Sequence, residues 1–154
     1  MRRVVWLLVS LGFLSCATVK NYLEPGEGEA VYSHSVSIDQ ANIRSRLLVF
    51  VNEKYHSGKA VVQTDDPGLF IGNGRIYLQD VGVLGNTADM EMTFIVKYQD
   101  RSYSVKWIVK EIIHDGGMSY TENYWGMFKD SIKQKFKEND DELFAYLSKD
   151  STSF

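Results

Sequence analysis

Met90-Glu-Met-Thr-Phe-Ile-Val-Lys-Tyr98 and Tyr103-Ser-Val-Lys-Trp-Ile-Val-Lys-Glu-Ile-Ile113 lie on either side of Asp100-Arg101. In the first run Met90, Met92, Phe94, Val96 and Tyr98 occupy alternate positions; in the second, Tyr103, Val105, Trp107, Val109 and Ile113 do so. Side chains of a strand point to opposite faces with a period of two, so each run has one face to bury. A turn at Asp100-Arg101 sets Tyr98 opposite Tyr103, Val96 opposite Val105, Phe94 opposite Trp107 and Met92 opposite Val109. The other face then brings Glu91 opposite Lys110. A slip of one residue would put Phe94 against Lys106 and break every one of these pairs. The hairpin therefore has one register, and Trp107 is expected in the core against Phe94.

Working outward, Tyr32, His34, Val36 and Ile38 alternate with Ser33, Ser35 and Ser37, the pattern of a half-buried strand. Asp39 is placed to cap a helix in which Ile43, Leu47, Phe50, Val51 and Tyr55 recur at helical spacing as far as Gly58. Lys59 to Thr64 is expected as a short strand, Asp65-Asp66-Pro67-Gly68 as a turn and Leu69 to Leu78 as the next strand. Gln79 to Asp89 is expected as a loop. After Gly116-Gly117 the stripe Trp125, Phe128, Ile132 and Phe136 marks a final helix, with Leu143 and Leu147 beyond a break at Asn139.

The element order is thus β-α-β-β-β-β-α. A face that carries Phe94 and Trp107 needs a cover, and two amphipathic helices supply it. The expected architecture is an α+β two-layer sandwich: a five-stranded antiparallel sheet with two helices on one face. A first helix of about 17 residues rises about 25 Å, enough to carry the chain across the sheet and set the first strand beside the last. Residues 30–149 form this single domain, and 150–154 a C-terminal tail.

The chain starts with Arg2 and Arg3, an apolar run from Val4 to Leu14, then Ser15 and the sole cysteine, Cys16. Eleven residues rise about 16 Å as a helix, roughly half the hydrocarbon thickness, which is too short to span. Residues 1–15 read as a signal peptide. Phe13-Leu14-Ser15-Cys16 resembles the bacterial lipobox, in which cleavage precedes a cysteine that receives lipid. Cys16 is therefore the expected lipidation site, with residues 16–29 as lipidated N-terminus and flexible tether. The alternative is ordinary cleavage after Ala17, which satisfies a small-x-small rule and releases a soluble secreted protein. Lipid on Cys16 would make a membrane the first partner and place the domain in the cell envelope, facing the periplasm or the exterior.

Composition narrows the function classes. Losing Arg2 and Arg3 from 17 basic residues leaves 15 against 20 acidic ones, a net −5. Nucleic-acid affinity comes mostly from cationic neutralisation of phosphates, so no nucleic-acid partner is expected. A domain without cysteine has no disulfide, thiol nucleophile or thiolate metal site.

Chemistry-bearing motifs are sparse. Gly72-Asn73-Gly74 lies within a strand pattern and opens no helix, so a bulge or close packing explains it better than a phosphate loop. His34, His56 and His114 lack ligand spacing, and no metal site is expected. Asp65-Asp66 reads as turn chemistry and Asp140-Asp141-Glu142 as a solvated charge run. Ser119 and Tyr120, near Glu122, have no recognisable base. No catalytic residue, cofactor or metal is expected, and the chain reads as no enzyme.

Thr64-Asp-Asp-Pro-Gly-Leu-Phe-Ile-Gly-Asn-Gly74, followed by the hairpin containing Val96-Lys97-Tyr98 and Asp100-Arg-Ser-Tyr103, resembles a bacterial lipoprotein domain-of-unknown-function family (number 4468). The likeness covers about Ala30 to Leu147. It implies an exported protein or lipoprotein with a TATA-binding-protein-like (TBP-like) fold, and it implies no activity and no site residues. Fold does not by itself imply function.

Because both helices cover one face, the hairpin's second face is where function is sought. Ile95 and Lys97 on one strand, and Lys106, Ile108, Lys110 and Ile112 on the next, form the expected partner surface, an apolar strip rimmed by cations. It suits an envelope protein or a small anionic ligand. The leading expectation is a non-catalytic binding or interaction module of the envelope. The alternatives are a structural or assembly lipoprotein that acts by oligomerising, and an enzyme whose site residues are not recognisable.

Overall fold

Tyr98 pairs with Tyr103, Val96 with Val105, Phe94 with Trp107 and Met92 with Val109 in a computed structural model that describes residues 23–55, 61–81, 86–114, 119–120 and 122–149. The elements are β1 (Glu29–Ser35), α1 (Gln40–Lys54), β2 (Val61–Asp66), β3 (Leu69–Val81), β4 (Asn86–Gln99), β5 (Ser102–His114), a 3-10 turn (Glu122–Phe128) and α2 (Lys129–Ser148). Every strand pairing is antiparallel, in the order β1-β5-β4-β3-β2, so β1 and β2 are the edges.

The core lies between the sheet and the two helices. Phe70, Phe94, Trp107 and Phe136 form a chain of rings with centroid separations of 6.0, 5.5 and 6.5 Å. Ile43 and Leu47 of α1 and Ile132, Leu143 and Leu147 of α2 are buried over it. The glycine pair on β3 makes room for this packing. A Cβ on Gly72 would lie 2.4 Å from the Phe94 ring, and one on Gly74 would lie 2.8 Å from the Tyr55 ring. Close packing is thus the reason for Gly72-Asn73-Gly74.

Local signals seat the first helix and the turns. Asp39 accepts from the Asn42 amide at 2.8 Å, capping α1. The turn between β2 and β3 is only Pro67-Gly68, with Gly68 at φ +83°, as a type II turn requires; Asp65 and Asp66 belong to β2. At the other hairpin Arg101 takes φ +60°. Its N–H donates to Ile38 O at 3.1 Å, and the Asp100 carboxylate accepts from the Gln40 amide at 2.9 Å. The start of α1 therefore clamps this turn from outside.

The structure corrects several expectations. The hairpin register fails beyond Val109: Glu91 pairs with Glu111, so Lys110 is an unmatched bulge residue and does not face Glu91. Unbroken alternation would drive Glu111 into the core and Ile112 into water; the bulge reverses both. Ile112 is fully buried and leaves the expected partner surface, while Ile113 is only half-buried. The long loop expected from Gln79 to Asp89 is mostly sheet, since β3 runs to Val81 and β4 begins at Asn86, with Leu78 and Ala88 paired and buried. β1 ends at Ser35, short of Ile38.

α2 has no break at Asn139. The amide of that residue donates to Lys135 O one turn back (2.6 Å) and accepts from the Tyr55 hydroxyl (3.3 Å), so a polar residue sits in the helix with both ends satisfied. Leu23 to Gly28 is not loose tether. Leu23 packs on the core, Glu27 pairs with Lys129, and the Val109 amide donates to Gly28 O at 2.9 Å. Cys16, the signal segment, Gly58 and residues 150–154 lie outside the described residues.

Candidate functional site

The pleat sends every second side chain of β1, β3, β4 and β5 away from the helices, and the pairings assemble them into rows. One row runs Val31, Lys106, Ile95, Ile71, and the next runs Glu29, Ile108, Thr93, Asn73. A third runs Ser33, Ser104, Lys97, Leu69. The helices lie on the opposite face, and no element among the described residues crosses this one. Ile71, Ile95 and Ile108 are half-buried by their neighbours, while Val31 is 64% exposed.

Polar contacts order the face. Lys106 pairs with Glu29 at 2.6 Å, and the Thr93 hydroxyl donates to Asn73 at 2.7 Å. Arg75 pairs with Glu91 at 2.5 Å and with Asp89 at 3.4 Å; the Glu91 hydrogen bond raises its guanidinium pKa further. Glu111 accepts from the Ser119 hydroxyl. Lys97 is exposed and has no ionic partner among the described residues. Beside it lies a shallow depression of about 660 Å³ lined by Ser33, Ser35, Ser102, Ser104 and Leu69.

Of the residues singled out from the sequence, Ile95 and Lys106 are direct cross-strand partners, Ile108 sits one row below them and Lys97 one row above. Lys110 stands exposed on the bulge beyond that group. Only Ile112 is displaced, into the core. The sequence reading missed the two flanks of the hairpin, where β1 adds Val31 on one side and β3 adds Leu69 and Ile71 on the other. The alternation of β1 and β3 held that information; their positions beside β5 and β4 did not follow from either segment alone.

The helix side holds a second polar cluster that the sequence reading took apart. Asp140 is buried, with both carboxylate oxygens 3.0 Å from His34 Nε2. Burial pushes the Asp140 carboxyl above its ordinary value, while His34 pulls it back down. The His34 ring packs on Phe144 (4.7 Å) and Tyr103 (5.2 Å). The neighbouring Tyr103 hydroxyl is buried, which raises its pKa. Asp140 lies four residues after Phe136 and three before Leu143, on the buried stripe of α2, and that spacing was the available signal. The cluster ties β1 to α2. Arg46, also buried, donates to Leu147 O at 3.2 Å and ties α1 to the end of α2.

Among the described residues no three His, Cys, Asp or Glu side chains gather as a metal site, and no helix is long and apolar enough to cross a membrane. Burial lowers the Lys54 amine to about 8. It pairs with Glu142 in the groove between the helices.

No protein-family model matches the chain, and no curated protein matches it. Solved structures do. A DUF4468 family protein from Bacteroides ovatus matches with a TM-score of 0.61 at 12% identity, over 88% of this chain and 95% of that one. A TBP-like protein from Parabacteroides distasonis matches with a TM-score of 0.58 at 11% identity, over 78% of this chain and 93% of the other. At such identities the likeness is one of fold: an α+β chain with an antiparallel sheet and two helices, similar to a DUF4468 family protein and to a TBP-like protein.

Proposed function

We propose that the chain is a non-catalytic binding module of the cell envelope, exported and held at a membrane by lipid on Cys16, and that it engages a protein through the open face of its sheet. The observation that carries this reading is the contiguous group Ile71, Ile95 and Ile108, half-buried and without a covering element among the described residues. A two-layer sandwich needs a cover on one face only, so apolar side chains on the other add nothing to its core. Lys97 on this strip, exposed and without an ionic partner among the described residues, favours a partner with complementary charge, whereas Lys106 is already paired with Glu29.

The test is capture from the native envelope. A tagged chain carrying Ile108→Ser with Lys106→Glu is compared with wild type and with Val49→Ser on the exposed side of α1. The face variant should keep wild-type stability and lose its crosslinked partner, while Val49→Ser keeps it. A stable face variant that retains every partner overturns the reading. Intact mass after detergent extraction tests the anchor: residues 16–154 plus acyl mass are expected, and a product starting at Thr18 removes the lipid from the proposal.

A further inference from the structure

We propose that the partner on the open sheet face is a second copy of this chain, packed face to face about a two-fold axis that runs across the strands. The inference rests on the reading above, that this face is the working surface, and it names the occupant.

Three features of the face select this arrangement. The first is charge segregation along the strands. At the end near the Pro67-Gly68 and Asp100-Arg101 turns, Lys97 stands among the serines of β1 and β5. At the other end three carboxylates, Asp89, Glu91 and Glu111, stand near two cations: Arg75, which pairs with Asp89 and Glu91, and the exposed Lys110 on the bulge. That end keeps one negative charge in excess. Lys97 and Glu91 are six residues apart on β4, about 20 Å along the strand, with the isoleucines between them. A two-fold axis across the strands, level with Phe94 and between the two sheets, reverses the ends. It sets Lys97 of one copy over Glu91 and Glu111 of the other, twice. An axis along the strands would instead set Lys97 over Lys97.

The second feature is the edge position of β1. A rotation about an axis across the strands leaves each strand over its own counterpart, so β1 of both copies lies at the same edge of the pair. Leu23 to Gly28 leads directly into β1. Leu23, the first described residue, therefore lies at the same edge of the pair in both copies, the arrangement that would let lipid on Cys16 of each copy reach one membrane. The axis along the strands fails here too, since it sends the two β1 edges to opposite sides. Electrostatics and anchoring, which are independent, choose the same axis.

The third feature is size. With nine residues of each central strand, as from Leu69 to Tyr77, and the 7 and 6 residues of β1 and β2, five strands about 4.8 Å apart present roughly 600 Å². A standard interface buries about 800 Å² per partner. Packed sheets also cross at about 30°, which brings the central rows of Ile95 and Ile108 together and leaves the corners wet.

The experiment uses the mature lipidated chain in detergent, and the same chain in its own envelope. Light scattering should show a dimer, and Thr93→Cys, close to the axis, should crosslink to its own copy with a short thiol-reactive linker, whereas Val49→Cys should not. Lys97→Glu should lose the dimer at concentrations where wild type holds it. Combining Lys97→Glu with Glu111→Lys should restore it, a rescue that a folding defect would not produce. A chain that stays monomeric and gives no Thr93→Cys crosslink overturns the self-pairing. If the chain is monomeric and the Ile108→Ser, Lys106→Glu variant still loses a different captured protein, the self-pairing falls while the face remains the binding surface. If it is monomeric and nothing captured is lost, both readings fall.

Discussion

Deleting Lys110 should cost this domain almost nothing, although β5 lies in the interior of the sheet. Lys110 is the residue that the ladder leaves unmatched: Val109 pairs with Met92 and Glu111 with Glu91 on either side of it. Its removal leaves Val109 inward, Glu111 outward and Ile112 inward, all as they stand. The pairing with β1 ends before this point, at Gly28, so the neighbouring ladder is not disturbed. The expected loss is about 1 kcal/mol or less, in the range of a surface change. Deleting Ser104 is the control. There β5 is paired on both sides with no bulge to absorb the change, so Val105 and Trp107, both fully buried, would turn to water. Losing the buried tryptophan alone costs about 3–5 kcal/mol and the valine about 1.5–3 more, together about 4.5–8 kcal/mol, as much as the whole stability of a domain in the lower half of the usual range of about 5–15 kcal/mol. The ΔSer104 chain should not fold. Ile112→Ala should cost about 2–5 kcal/mol, and Ile113→Ala well under half of that. Urea unfolding followed by tryptophan fluorescence and far-ultraviolet circular dichroism measures all four. A ΔLys110 chain destabilised by about 3 kcal/mol, or an Ile113→Ala change that costs more than Ile112→Ala, refutes the bulge and the assignment of faces beyond it.

Two further outcomes follow from the core and the buried pair. Trp107→Ala should cost about 3–5 kcal/mol, since the ring is fully buried between Phe94 and Phe136; a wild-type spectrum in which the Trp107 emission is solvent-like would contradict this placement. Asp140 has a folded-state value raised by burial, so the fold prefers its protonated form. Its contribution is fully present below the ordinary aspartate value and is lost as pH rises through the raised one. Asp140→Asn keeps the shape without the titration. Relative to wild type it should gain stability as pH climbs from 3.5 towards 6, as read by urea unfolding. A stability difference that stays flat across that window sinks the argument.

The sequence alone determined what depends on near neighbours in the chain. The hairpin register from Met92 to Val109 followed from period-two alternation because a slip would have inverted a whole face at once. The start of α1 followed from Asp39, whose carboxylate satisfies an amide three residues on. The turns at Pro67-Gly68 and Asp100-Arg101 and the buried stripe Phe128, Ile132, Phe136 were equally local. Most of the candidate surface was legible for the same reason, since Ile95, Lys97, Lys106 and Ile108 all belong to that hairpin. What only the tertiary structure decided were positions where a local rule and a distant partner disagree. Alternation points Ile112 outward, and the apolar volume at that end of the core turns it in by means of a bulge. Helical propensity argues against Asn139 within α2, and the Tyr55 hydroxyl from the other helix satisfies it. Charge patterning puts Asp140 in water, and His34, 106 residues earlier, holds it in the interior. The open face was expected from the sequence as the second face of the hairpin; the tertiary structure added its flanks, setting Val31 of β1 beside Lys106 and Ile71 of β3 beside Ile95, because the register between separate strands is fixed by packing across the whole sheet.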